Sequence, residues 1–249
     1  MAENRLFGLI GYPLSHSFSK RYFTEKFERE GIPNCRYELF PLQNIEELPA
    51  LVETHKDLVG LNVTIPYKKQ VIPFLQEIDG EAAAVGAINT IKIENGRLKG
   101  YNSDVYGFEV SLLKLLGKVY ELENLDALIL GTGGAAKAVA FVLSRLGIGF
   151  TFVSRNVGED RIRYEELDQA IMQKHRLIVN TTPLGMSPNV DAAPAIPYQW
   201  LGENHFLYDL VYNPPVTAFM QQGKDRNCQV ENGLEMLHLQ AERSWEIWQ

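Results

Sequence analysis

A short, wholly apolar stretch at 127–130 runs directly into Gly131-Thr132-Gly133-Gly134-Ala135-Ala136, and an amphipathic helical pattern follows at 137–146, closed by Gly147. No other feature restricts the fold as tightly. The first glycine permits a tight turn, the second lets the backbone approach a pyrophosphate, and the third small residue lets helix and strand pack closely. Backbone N–H groups at the start of the helix then face the phosphates, helped by the helix dipole. With a further strand at 150–153, the segment has the size of the βαβ unit that opens a dinucleotide-binding domain. That second strand ends in Ser154-Arg155-Asn156, where NAD sites usually carry an Asp or Glu for the ribose 2′-OH. Arg155 cannot accept a bond from that hydroxyl. Its planar fork can clamp a 2′-phosphate or stack on adenine, which favours NADP over NAD. The residues at 156–161 are too few for a normal crossover helix before the next candidate strand at 162–164. The helix after the second strand is therefore expected to be missing or a single turn. Arg161 and Arg163 could reach the opened adenine end, although both also read as ordinary surface charges.

The chain before this unit alternates strands and helices: strands at 5–10, 35–40 and 60–65, with helices at 19–30 and 45–55. Tyr22, Phe23 and Phe27 share one side of the first helix. This β-α-β-α-β order predicts a parallel sheet covered by helices. A hairpin at 87–93 and 97–101 turns about Glu94-Asn95-Gly96, and a helix occupies 105–116. Later strands fall at 177–180 and 205–209, and a terminal helix at 234–248. The fold class is α/β with two domains. Its 249 residues, 45% hydrophobic and 22% charged, allow each half its own core. The net charge of −7 disfavours a nucleic-acid partner, which needs clustered basic surface. Cys35 and Cys228 match no metal spacing and read as two buried free thiols in a reducing compartment. The N-terminus reads as the first strand, and no stretch approaches the length of a membrane span. The expected location is the cytoplasm, away from membranes.

Four polar loops fall at strand ends in the first half, where α/β proteins place ligands. The first is Gly11-Tyr12-Pro13-Leu14-Ser15-His16-Ser17-Phe18-Ser19. Its serines can bind a ligand, but Ser17 or Ser19 can equally cap the following helix, and the cap is the more ordinary reading. The second is Asn62-Val63-Thr64-Ile65-Pro66-Tyr67-Lys68, where Pro66 stops the strand and could open a helix. The others are Asn89-Thr90 and Tyr101-Asn102-Ser103-Asp104, where Asp104 could simply cap the next helix. Together they offer hydroxyl, amide, ammonium and carboxylate groups beside a cofactor domain, a combination suited to a small polyhydroxy acid.

These loops, taken with Gly86-Ala87-Ile88-Asn89-Thr90, Asn180-Thr181-Thr182-Pro183-Leu184-Gly185-Met186, Tyr208-Asp209-Leu210-Val211-Tyr212 and Gly233-Leu234-Glu235-Met236-Leu237-His238-Leu239-Gln240, resemble the shikimate dehydrogenase family over almost the whole chain. The resemblance implies an open α/β substrate domain at 1–103 plus 226–249, and a Rossmann-type NADP-binding domain at 104–225. The terminal helix would pack back on the first domain. By the same resemblance, Ser17 and Ser19 hold a substrate carboxylate with Tyr212 nearby. Thr64, Asn89 and Gln240 bond ring hydroxyls, and Lys68 with Asp104 forms the catalytic pair. Gly131, Gly133, Gly134 and Ala135 hold the pyrophosphate of NADP. Ser154, Arg155 and Asn156 stand where the family has Asn-Arg-Thr, and Leu210 and Gly233 would meet the nicotinamide amide through their backbones. Lys20 and Ala218 replace prolines frequent in the family. The implied activity is reversible, NADP-dependent reduction of 3-dehydroshikimate to shikimate in aromatic amino-acid biosynthesis, without a metal, by a monomer or homodimer. Two alternatives stand beside it: a quinate/shikimate dehydrogenase using NAD, and a non-catalytic NADP-sensing protein on the same fold.

Overall fold

The computed structural model describes residues 4–14, 17–117, 124–156, 158 and 160–249. The chain forms two compact units, residues 1–103 with 241–249, and residues 104–240.

The first unit contains β1 (Arg5–Gly11), α1 (Phe18–Arg29), β2 (Cys35–Pro41), α2 (Leu48–Thr54), β3 (Leu58–Val63), β4 (Glu77–Ile78), α3 (Gly80–Val85), β5 (Thr90–Glu94) and β6 (Arg97–Tyr101). The strands lie in the order β2-β1-β3-β5-β6-β4. From Leu6 on, β1 is apolar because it is an interior strand, paired in parallel on both sides and buried on both faces. Leu6 and Ile10 enter a core with Leu48, Leu61 and Ile91. Phe7 and Leu9 point the other way, into a core with Phe23, Phe27, Tyr37 and Trp248.

The sheet is not wholly parallel, as the β-α-β-α-β order had suggested. β1 pairs with β2 and β3 in parallel, but β5 runs antiparallel to both β3 and β6. A tight hairpin reverses the chain at Asn95 (φ 53°) and Gly96 (φ 75°), and the pair of positive φ angles suits the Asn-Gly dipeptide. The first hairpin strand begins only at Thr90, because residues 87–89 bond instead to the turn after β3 and to Tyr101. No helix opens at Pro66. The segment turns there and forms only a short 3₁₀ helix at Ile72–Phe74.

The second unit comprises α4 (Ser103–Leu116, whose first residue still belongs to the first unit), β7 (Asp126–Leu130), α5 (Gly134–Arg145), β8 (Gly149–Val153), β9 (Arg161–Ile162), α6 (Gln169–Lys174), β10 (Leu177–Asn180), β11 (Phe206–Asp209), α7 (Ala218–Lys224), β12 (Gln229–Asn232) and the beginning of α8 (Leu234–Trp248). The order β12-β11-β10-β7-β8-β9 is parallel at every pairing. That order, with its reversal between β7 and β10, is the dinucleotide-binding arrangement. No described residue between β8 and β9 is helical, as the short spacing predicted. Residues 226–240 belong to this unit, not to the first as the resemblance implied, because β12 pairs with β11. Of the two thiols expected to be buried, Cys228 is, but Cys35 is half-buried at the start of an edge strand. Among the described residues, no helix is long and apolar enough to cross a membrane.

Only the last residues of α8, from Ala241 on, belong to the first unit. Trp248 is 2% exposed, and its ring lies over Gly60 of β3, where no Cβ could fit without moving the indole. Its Nε1–H donates to the Ile91 carbonyl at 2.9 Å. Replacing Trp248 by Ala should cost the first unit about 3–5 kcal/mol. Urea unfolding followed by intrinsic fluorescence checks this, and a loss below about 1 kcal/mol would show that the indole is not a keystone of that core.

Candidate active site

In the first unit the polar loops converge at the carboxyl ends of β1 and β3. Thr64 N–H donates to the Ile10 carbonyl (2.9 Å) and Tyr12 N–H to the Ile65 carbonyl (3.1 Å), which brings the two loops together. Gly11 is needed there, because a side chain would meet Thr64 and Leu14. Lys68 is half-buried, and its carbonyl accepts from Ile88 N–H at 2.7 Å. The backbone thus sets Lys68 beside the strand entrance that carries Asn89.

The serine loop does not cap α1 through its Ser17 side chain, although Ser17 occupies the N-cap position. Its Oγ is buried and has no hydrogen-bond partner, a costly arrangement unless a ligand supplies one. His16 and Ser15 lie outside the described residues. Ser19 is inside α1 and half-buried. Asp104 is not a cap either. It lies in the first turn of α4, 7% exposed, where the helix dipole favours a carboxylate.

The first unit also holds a chain of buried polar residues, of which the sequence reading gave a role to Asn89 but singled out neither Tyr37 nor Ser244. Tyr37 O–H donates to Asn62 Oδ1 (2.7 Å), and Asn62 Nδ2 donates to Ser244 Oγ (2.9 Å). Ser244 shares its hydroxyl with Thr90 (2.8 Å) and Ser103 (3.1 Å). Asn89 Oδ1 accepts from Ser103 N–H (2.7 Å), and Asn89 Nδ2 donates to Ser103 Oγ (3.0 Å). Burial raises the Tyr37 phenol far above its ordinary pKa. One available signal was a polar residue on the buried stripe of the last helix, where Ala241, Ser244 and Trp248 recur at helical spacing.

In the second unit, the turn after β7 lies where the strand order reverses. Gly131 has φ +107°, and a Cβ there would press on Thr181 and Thr182, which follow β10. Thr181 anchors that contact through Oγ1–H to the Leu130 carbonyl (2.7 Å). Thr181 is a further residue the site list from sequence lacked. Helix α5 starts at Gly134, three residues earlier than the periodicity suggested, because Gly133 takes the N-cap position. No side chain caps it, and the space around Gly133 is open. The first-turn N–H groups, with Gly134 and Ala135, are therefore presented to an anion, and the residues present fit a dinucleotide pyrophosphate.

Ser154 Oγ accepts from Asn156 N–H (3.2 Å), which curls the chain after β8 and leaves Arg155 exposed at its end. Arg161 and Arg163 are engaged by Asp160 and Glu166. Leu210 and Gly233 meet closely: any side chain at 233 would strike the Leu210 carbonyl. Tyr212 is half-buried just past β11. Gln240 belongs to this unit, and its Nε2 donates to the Leu237 carbonyl (2.9 Å). Lys68 thus belongs to the first unit and Asp104 is the first residue of the second.

Asp209 organises the loop that carries Leu210 and Tyr212. It accepts from Asn180 Nδ2 (2.9 Å), Val211 N–H (3.0 Å) and Thr217 Oγ1 (2.6 Å). Burial nevertheless pushes its carboxyl up to about 6, with those three bonds opposing the rise. As pH rises, the unfolded chain ionises this group before the folded one does. The second unit therefore loses stability through Asp209 between about pH 4 and about pH 6, by an amount on the order of 3 kcal/mol. A carboxyl-carbon NMR titration of Asp209 should have its midpoint near pH 6. A midpoint at or below the 3.8 of an ordinary aspartate would mean that the three donors outweigh burial.

Residues 9–91 match the family model for the shikimate dehydrogenase substrate binding domain. The NADP(+)-dependent shikimate dehydrogenase of Clostridium beijerinckii is 39% identical, over 98% of this chain and 91% of that protein. Shikimate dehydrogenase 1 of Peptoclostridium difficile superposes with a TM-score of 0.84 at 36% identity, covering 98% of this chain and 91% of the other. The Thermus thermophilus shikimate 5-dehydrogenase, solved with NADP(H) and shikimate, gives a TM-score of 0.83 at 30% identity, covering 98% and 93%.

Proposed function

Since the chain belongs to the shikimate dehydrogenase family, we propose that it is the NADP-dependent enzyme that reversibly reduces 3-dehydroshikimate to shikimate in aromatic amino-acid biosynthesis. The observation that carries the substrate assignment is the Ser17 hydroxyl, buried and without a partner beside the loops at the ends of β1 and β3. A carboxylate oxygen is an acceptor that would satisfy such a donor with a charge-assisted bond. Ser17 and Ser19 bind the acid, with Tyr212 near it, and Thr64, Asn89 and Gln240 bond the ring hydroxyls.

When bound, NADPH would supply the hydride that reduces the C3 carbonyl, and NADP+ would take it in the reverse direction. The chain's own task is to hold the ring and manage one proton. The Lys68 ammonium stabilises the charge that develops on the carbonyl oxygen and donates a proton to it. In the reverse direction the neutral amine takes that proton back. Asp104 orients Lys68 and accepts from the neighbouring hydroxyl. Positioned proton transfer of this kind contributes about 100- to 10,000-fold. No metal is needed, because the lysine brings the positive charge.

Gly131, Gly133, Gly134 and Ala135 hold the pyrophosphate, and Leu210 and Gly233 the nicotinamide amide through their backbones. Ser154, Arg155 and Asn156 surround the 2′-phosphate, with Arg155 carrying the charge. A cytoplasmic monomer or homodimer acting on a small molecule, without nucleic-acid or membrane partners, completes the proposal.

Absorbance at the reduced-cofactor band tests the activity: shikimate should reduce NADP, and NAD far more weakly. Folded protein that reduces neither cofactor would refute it, and stronger activity with NAD and quinate would move it to the broader relative. Lys68→Ala should lower kcat at least about 100-fold with a small change in KM for shikimate. A near-normal kcat would remove Lys68 from the chemistry. Arg155→Ala should raise KM for NADP about 10- to 100-fold and leave KM for NAD unchanged, since charge-assisted bonds to a phosphate are at stake. Equal effects on both cofactors would show that Arg155 does not read the 2′-phosphate.

A further inference from the structure

Segment 87–89, between α3 and β5, is hydrogen-bonded to two loops at once. On one side it holds the loop that follows β3. Val63 N–H donates to the Asn89 carbonyl (2.8 Å), and Ile88 N–H donates to the Lys68 carbonyl (2.7 Å). On the other side it holds the residues that lead into α4. Asn89 N–H donates to the Tyr101 carbonyl (3.1 Å), Asn102 Nδ2 donates to the Ala87 carbonyl (2.9 Å), and Ser103 N–H donates to Asn89 Oδ1 (2.7 Å). Ala87 and Ile88 are fully buried, and Asn89 is 3% exposed. Ile88 packs on Gly100 of β6, where a Cβ would meet its side chain.

The segment is therefore a common anchor for the two groups that the proposed function assigns to proton transfer. Lys68 is bonded to it through its own carbonyl. Asp104 follows directly on residues bonded to it. Most of these ties run between backbone groups, which no substitution of a side chain removes. The Asn102 amide is different, because its donor belongs to a side chain. Asn102 immediately precedes α4 and is 5% exposed. A serine or an aspartate would start a helix about as well as an asparagine. Aspartate, however, lacks the amide donor, and serine is too short to keep the bond. What asparagine adds here is the N–H that satisfies the buried Ala87 carbonyl.

We propose that Asn102 is a positioning residue for the reaction: by tying the entry of α4 to Ala87, it fixes Asp104 with respect to the segment that also holds Lys68. The inference rests on the proposed reading of Lys68 and Asp104 as the catalytic pair. Asn102 acts through Asp104 rather than on substrate itself. Its effect falls on the rate, because a displacement of about 1 Å at a reacting group can cost about 100-fold.

The test is steady-state kinetics with shikimate and NADP on Asn102→Ser, alone and combined with Asp104→Asn, with rates referred to folded protein measured by circular dichroism. Asn102→Ser should lower kcat about 10-fold, raise KM for shikimate no more than about 3-fold and leave KM for NADP unchanged. Asp104→Asn should lower kcat by itself, and Asn102→Ser should then add little to it, because residues that act as a unit are non-additive. A merely structural loss would multiply on top of Asp104→Asn. If Asn102→Ser does not fold, Asn102→Asp carries the same test, since it keeps the size of the side chain and removes the donor. A folded variant with wild-type kcat, a change confined to KM, or full multiplication with Asp104→Asn overturns the inference. Wild-type protein that does not oxidise shikimate with NADP overturns the proposed function instead, and a wild-type kcat in Asp104→Asn overturns the reading of Asp104, so the failures are distinguishable.

Discussion

The first unit depends on an indole seated where a glycine leaves room. Trp248 covers Gly60 and bonds the Ile91 carbonyl, so the last turn of the chain is stitched to the middle of the first sheet. One helical turn earlier, Ser244 lies on the same buried stripe and reaches Asn62 and Thr90. The far end of the sequence therefore supplies both the apolar lid of the sheet and the hydroxyl that closes its polar chain. The core around Phe7, Phe23, Phe27 and Trp248 is rich in aromatic rings, and large flat side chains of this kind contribute area and geometry together.

The second unit solves a different problem. A parallel sheet whose order reverses in the middle leaves a crevice at the carboxyl ends of its strands. Here the crevice is shaped by backbone: Gly131 bends against Thr181 and Thr182, and Gly233 admits the Leu210 carbonyl. Gly133 leaves the start of α5 without a side-chain cap. Gly131 and Gly233 thus make room for neighbouring protein atoms, and Gly133 leaves open space at the start of α5. Asp209 fixes the intervening loop at the cost of burying a carboxylate, and three donors offset part of that cost.

Much of this was legible residue by residue. The apolar strand, glycine turn and helix at 127–146 predicted their own structure, because turn chemistry and periodicity are local. The absence of a helix between β8 and β9 followed from spacing alone. Other elements were not legible. The two-residue strands β4 and β9 are too short to carry a period, and β9 was expected one residue late. β12 lies among exposed and half-buried residues at a sheet edge, so its sequence lacks the apolar run of a central strand. Of the site, the residue types at the strand ends could be named, but whether Ser17 capped a helix or faced a ligand could not.

The sequence by itself determined the local matters: where glycine must stand, which strands are buried on both faces, that Arg155 rather than an acid follows β8, and which family the chain resembles. These are set by backbone sterics, periodicity and side-chain chemistry within a few residues. Tertiary structure decided the rest. It placed Ser244 beside Asn62 across 182 positions of sequence, left Ser17 Oγ buried and without a partner, and raised the Asp209 carboxyl by burial. Hydrogen-bond satisfaction and desolvation depend on what long-range folding packs around a group, and no local pattern encodes that.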